Sequence, residues 1–334
     1  MKYIFLKRIS LPYVLAIIIL SVALTYVTTI KIDQKKYNVN QDSESSQSSC
    51  SYSVKRLNGF SYTKPLLFVD NECESDDLSS VKQSVNKLID NYKKSNVITS
   101  ASIYLKSYNT NEWTSINPEE KYKPGSLLKV PELIAFLKMN ELKPGLLDKE
   151  YSFDKPFEIN KKPEFISKSI QLGHKYKVRE LLKYMIAYSD NNATLMLNNI
   201  IDVSVFKKVF TDLGLPAPDW NASDYPLTAP EFSLFVRALF NASYLTISDS
   251  EFATKLLSES DFKDGILKSL PKSIKIVHKF GEAGDANEKQ LHESAIIYLD
   301  NNPYLLTIMT KGNDMKKLPD VINQISALIY QNMK

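Results

Sequence analysis

Glycine is scarce in this chain, 9 of 334 residues, and histidine and cysteine are scarcer still, at 3 and 2. So few glycines argue against a glycine-rich loop that cradles phosphate, and three histidines limit any histidine-based metal centre or triad. A basic block is also missing: 42 Lys and Arg are set against 38 Asp and Glu and spread along the chain. Nothing in that balance tracks a phosphate backbone, so nucleic acid is not an expected partner. Chemistry is left to Ser, Lys, Asp, Glu and Asn.

One long stretch lacks charge altogether. Residues 9–30 carry no charged side chain and are rich in Leu, Ile, Val, Ala, Thr and Tyr, long enough to span a bilayer as a helix. With Lys2, Lys7 and Arg8 before it, the reading is a cytoplasmic tail (1–8), a single-pass anchor (9–30) and an extracytoplasmic remainder. A cleaved secretory signal is the alternative, and it also exports the chain. Residues 31–75 are polar and Ser-rich and are expected to be a flexible linker, leaving a folded domain over 76–334. Cys50 and Cys73 either close a disulfide across this segment or remain free thiols.

Periodicity organises the domain. Residues 77–94 repeat apolar side chains near every 3.6 positions and predict an amphipathic helix. A strand over 98–105, a turn at Asn109, Thr110 and Asn111, and an extended stretch at Trp113 predict a strand pair. Helices are expected over 127–139, 178–188, 193–201 and 229–239, then strands over 274–278, 295–299 and 304–310, the last two joined by a turn at Asp300 to Pro303. A helix over 318–331 closes the chain. The fold class is therefore mixed α/β (α+β): a five-stranded antiparallel sheet flanked by helices, with an inserted helical lobe and a cleft between the two.

Three polar clusters fall on this framework. Ser126 and Lys129 lie three apart where a loop meets a helix, so the amine faces the hydroxyl. Such a lysine, once its pKa is lowered, activates the serine oxygen. The Ser-x-x-Lys pattern recurs at Ser79 and Ser152 among others and carries weight only with its companions. These are Ser189-Asp190-Asn191, unique in the chain and placed between two helices, and Lys279-Phe280-Gly281 at the end of a strand.

In that order the clusters resemble the S-x-x-K, S-D-N and K-[ST]-G signatures of class A β-lactamases and penicillin-binding serine hydrolases. Ser189 follows Ser126 by 63 residues, and Lys279 follows Ser189 by 90. The resemblance runs from about residue 77 to the C-terminus. It implies that Ser126 attacks a β-lactam or peptidoglycan peptide carbonyl, with Lys129 as proton acceptor and Ser189 as relay to the leaving nitrogen. Asn191 holds the substrate amide and Lys279 its carboxylate, beside Gly281, while the backbone N–H groups of Ser126 and Glu282 form the oxyanion hole. It implies no metal or cofactor, and the chain is expected to act as a monomer.

The pattern breaks at two places. Phe280 stands where the family carries a hydroxyl residue, and no Glu occurs between Asn191 and Glu231, where class A enzymes place the glutamate that activates the deacylating water. The stretch from Pro216 to Pro226 reads as a shortened loop leading to a capped helix start at Thr228-Ala229-Pro230-Glu231. Asp219 or Asp224 is the replacement it offers, although a loop aspartate more often forms a turn. Without a replacement, acylation outpaces hydrolysis. That profile suits a carboxypeptidase, a transpeptidase or a slow β-lactamase, and a non-catalytic sensor of cell-wall peptide or antibiotic is the other reading. Glu132 and Glu164 are expected to be solvated, His292 and Glu293 to lie at the surface, and His278 to be merely hydrogen-bonded. Pro131 is expected to bend the helix that follows Ser126.

Overall fold

The computed structural model describes Ser21 and residues 25–28, 50–157, 163–165, 167–222, 224–299 and 302–334. In the N-terminal unit, residues 1–50, these include a helical turn over 25–28. Most of the expected membrane span, residues 31–49 of the expected linker and the turn residues Asp300 and Asn301 lie outside the described residues. Among the described residues no helix is long and apolar enough to cross a membrane. Both cysteines, Cys50 and Cys73, are disulfide-bonded.

The second unit, Ser51–Lys334, begins earlier than the polar composition of 31–75 suggests. Strands β1 (Tyr52–Arg56) and β2 (Leu66–Asn71) form an antiparallel hairpin. The expectation of a flexible linker up to residue 75 is thus corrected. The hairpin is held because Leu67 and Phe68 are buried in the main core and Asp70 is paired with two cations, Lys106 at 3.2 Å and Arg237. Arg237, buried itself, also lies over the Phe68 ring, 4.4 Å from its centroid.

Beyond the hairpin the expected order holds. Helix α1 (Ser79–Lys94) precedes β3 (Ile98–Ser107) and β4 (Trp113–Ile116), and β7 (Lys275–Gly284), β8 (Lys289–Tyr298) and β9 (Tyr304–Gly312) follow the helical lobe. The five strands form one antiparallel sheet in the order β4-β3-β9-β8-β7. Side-chain alternation gives the sheet two buried faces. Ile276, Ile297, Leu306 and Ile308 pack against α1 and the closing helix α8 (Leu318–Met333). Val277, Ile296, Leu305 and Met309 turn the other way, into the core shared with the lobe.

The lobe is built around α2 (Lys129–Leu142), in which every residue from Lys129 to Leu137 is buried. Around it stand α3 (Val178–Ala187), α4 (Asn191–Asn198), α5 (Val203–Asp212), α6 (Ala229–Phe240) and α7 (Ile247–Ser258), with a small hairpin of β5 (Glu150–Phe153) and β6 (His174–Lys177). The short β5 and β6 and the helices α5 and α7 were not anticipated individually. The expected capping box opens α6: Glu231 N–H donates to Thr228 Oγ1 at 3.2 Å, and Thr228 N–H to the Glu231 carboxylate at 2.8 Å.

Candidate active site

Ser126 sits in a 3-10 turn, Gly125–Leu128, that feeds directly into α2 at Lys129. Pro131 therefore occupies the first α-helical turn, where a missing N–H costs no α-helical bond. The turn is pressed against β7. A Cβ on Gly125, whose φ is +53°, would fall 2.1 Å from the Glu282 carbonyl oxygen, and one on Gly281 would fall 2.3 Å from the Pro124 carbonyl oxygen. Both positions need glycine because two backbones meet there.

The second cluster arrives from the lobe. Ser189, at the turn between α3 and α4, holds a left-handed backbone with φ +54°, an uncommon conformation for a residue with a side chain. Asp190 supports the turn. Its carboxylate accepts from the N–H groups of Asn192 at 3.0 Å and Ala193 at 3.3 Å, capping α4, and from Ile170 N–H at 3.0 Å. Asn191 becomes the first residue of α4, facing Lys129.

The third cluster lies within β7 and not at its end, since pairing with β8 continues past Lys279 as far as Gly284. Lys279 and Gly281 share the face turned to the serine turn, while His278 and Phe280 point to the opposite side.

Side-chain bonds join the clusters. Lys129 Nζ donates to Asn191 Oδ1 at 2.8 Å and to the Ser189 carbonyl at 2.7 Å, with Ser189 Oγ at 3.4 Å. Lys279 Nζ donates to the same Ser189 Oγ at 2.9 Å and to the Phe280 carbonyl at 2.9 Å. The lysines are only 4% and 1% exposed. Burial lowers the Lys129 pKa against the opposing pull of Glu132, Asp190 and Glu282. Burial, reinforced by the charge of Lys129, pushes Lys279 down further. Depressed amines beside a hydroxyl suit proton transfer.

Ser126, Lys129, Ser189, Asn191 and Glu282 all line one cavity of about 520 Å³. Among the described residues, no protein group hydrogen-bonds the Ser126 hydroxyl, which leaves it open to that cavity. The two loop aspartates part company. Asp224 lines the cavity and forms an ion pair with Lys123 at 3.2 Å. Asp219 does not reach it: it accepts from Asn221 N–H at 3.0 Å, as a turn-forming aspartate does, and lines a neighbouring cavity of about 460 Å³. Glu164 is exposed as expected.

Several acids, bases and aromatics behave differently from their sequence reading. Glu132 is buried, 8% exposed, and lines both cavities. Burial raises its pKa, partly offset by the nearby Lys129 ammonium. Its helical position alone gave no hint of this, because α2 is enclosed on all sides. His292 and Glu293 are fully buried and not at the surface. His292 Nε2–H donates to the Lys123 carbonyl at 3.0 Å while Nδ1 accepts from Thr310 N–H at 3.2 Å, so a neutral ring anchors the chain just before Ser126. Glu293 pairs with His278 Nδ1 at 2.7 Å on the far face of the sheet from Lys279. Phe280 stacks on Phe262 with centroids 4.3 Å apart and meets Phe165 edge-on at 5.9 Å. The backbone N–H groups of Glu164 (3.0 Å) and Phe165 (3.3 Å) in turn bind the Glu282 carboxylate, fixing this rim segment to β7.

Comparison with known proteins agrees with this fold. A family model described as the beta-lactamase enzyme family matches residues 80–333. No curated protein sequence matches the chain. Among solved structures, a beta-lactamase from Chitinophaga pinensis superposes with a TM-score of 0.64 at 17% identity, covering 76% of this chain and 100% of that one. A class A beta-lactamase from Mycobacterium abscessus gives 0.63 at 17%, covering 75% and 98%. PBP-A, in a mutant form as its acyl-enzyme complex with penicillin G, gives 0.61 at 19%, covering 76% and 96%. At these identities the structures speak for the fold.

Proposed function

The chain belongs to the beta-lactamase enzyme family, and from that premise we propose that it is a serine acyl-transfer hydrolase whose nucleophile is Ser126. Lys129 takes the hydroxyl proton as Ser126 attacks the carbonyl of a β-lactam or a D-alanyl-D-alanine peptide. The backbone N–H groups of Ser126 and Glu282 stabilise the oxyanion. Ser189, bonded to both lysines, returns a proton to the leaving nitrogen so that the C–N bond breaks. Asn191 and Lys279 orient the substrate amide and carboxylate, and Gly281 lets β7 approach the serine turn. The single observation that carries this reading is the convergence of Lys129 and Lys279 on the Ser189 hydroxyl in the wall of the Ser126 cavity.

Acylation outpaces hydrolysis in this reading, because no Glu occurs between Asn191 and Glu231 and Asp219 is not in the lining of the Ser126 cavity. The physiological role is then a slow β-lactamase or a penicillin-binding carboxypeptidase or transpeptidase. It acts as a monomer, tethered outside the membrane by residues 9–30 or released after their cleavage. A sensor module that binds without acylation is favoured by one observation: Phe280, buried in an aromatic cluster, fills the family's hydroxyl position. Intact-mass spectrometry after benzylpenicillin decides between them. An adduct that Ser126→Ala abolishes supports the enzyme, and no adduct on the unsubstituted protein overturns it.

A further inference from the structure

Among the described residues, Glu132 is the buried carboxylate in the lining of the Ser126 cavity, where Glu164 is exposed and Asp224 and Glu282 are half-buried. Asp224 is ion-paired with Lys123, and Glu282 is held by two backbone N–H groups. Asp219 closes its own turn. Glu132 is more than nine-tenths buried, and among the described residues its Oε2 has no hydrogen-bond partner and no ion pair reaches it. A buried carboxylate left this way is costly unless a small molecule or water satisfies it.

Its place in the fold says what that partner reaches. Lys129 lies one helical turn before Glu132 on α2, and Ser126 one turn before Lys129. Helical side chains lean toward the N-terminus of their helix, and Glu132 shares the lining of one cavity with Lys129, Leu128 and Ser126. Leu128, Glu132 and Asp224 are the residues shared by the Ser126 cavity and its 460 Å³ neighbour. Glu132 therefore borders both cavities, and its carboxylate belongs to the lining of the one that holds Ser126.

We propose that Glu132 is the carboxylate that activates the water hydrolysing the Ser126 ester. The proposal rests on the acylation reading above and assigns the slow second half of that reaction. The water gives its proton to the Glu132 carboxylate as its oxygen bonds to the acyl carbon. The bond from that carbon to Ser126 Oγ then breaks, and the proton passes from Glu132 to Oγ, restoring the free serine and releasing the acid. Burial, which raises the proton affinity of Glu132, suits it to this exchange near neutral pH.

The test is the lifetime of the benzylpenicillin adduct on the full chain, followed by intact-mass spectrometry after removal of excess drug. Glu132→Gln keeps the shape of the side chain and removes the base. It is expected to lengthen the lifetime at least about tenfold while the acylation rate changes less than about threefold. Glu132→Asp, with the carboxylate withdrawn, is expected to fall between, and it carries the test should the glutamine variant fail to fold. An unchanged lifetime, an equal slowing of acylation, or a lifetime that lengthens in Asp224→Asn instead overturns the role of Glu132. An unsubstituted protein that forms no adduct overturns the acylation reading, and this one with it.

Discussion

Lys279 donates to the hydroxyl of Ser189 at 2.9 Å, across 90 residues of chain, and so ties the sheet to the helical lobe at the cavity that holds Ser126. Lys129 Nζ lies 3.4 Å from the same oxygen. Ser189→Ala leaves two buried amines without their shared partner. Acylation by benzylpenicillin is expected to slow by at least about 100-fold, the range of a lost proton relay, while circular dichroism shows a folded protein. A rate within threefold of the unsubstituted protein would contradict the relay.

Gly125 and Gly281 set the distance between the serine turn and β7. Gly125→Ala forces a Cβ against the Glu282 carbonyl at a position with φ +53°, so β7 must move away from Ser126. The expected result is loss of acylation, measured as adduct formation over one hour, together with a lowered Tm.

The hairpin before the main domain is anchored by charge. Asp70→Ala leaves Arg237, buried on α6, without its carboxylate and is expected to cost about 3 kcal/mol of stability, as breaking a buried pair does. Urea unfolding measures it, and a cost below about 1 kcal/mol would make the hairpin a passive attachment.

Acid destabilises the site through His292. Burial lowers its pKa from 6.5 to about 3 in the folded protein, so the unfolded chain binds the proton more readily. This contribution to stability is complete above pH 6.5 and is lost progressively as the pH falls toward about 3. The loss is about 2 kcal/mol by pH 5. Unfolding measured at pH 7 and pH 5 for the unsubstituted protein and for His292→Asn checks it: the variant's stability should fall less.

Phe280 belongs to the fold as much as to the cavity rim. Phe280→Ala empties a position stacked between Phe262 and Phe165 and is expected to cost about 3–5 kcal/mol. A cost under 1 kcal/mol, by the same urea titration, would show that the aromatic cluster collapses around the gap.

Periodicity and turn residues located α1, α2, α3, α4, α6, α8 and the five strands of the main sheet, and three polar motifs in a fixed order marked Ser126, Lys129, Ser189, Asn191 and Lys279, because local geometry depends on neighbours along the chain. Apolar spacing showed the five-stranded sheet and the capping box at Thr228, but it was silent on β5 and β6, which are four residues each. Only tertiary structure decided the burial of Glu132, His292 and Glu293, the docking of the 52–71 hairpin, and that Asp224 but not Asp219 lines the Ser126 cavity. Whether a charged side chain meets water or protein depends on surfaces contributed from distant parts of the chain, and α2, closed in on every side, turns an ordinary helical glutamate into a buried acid facing the nucleophile's cavity.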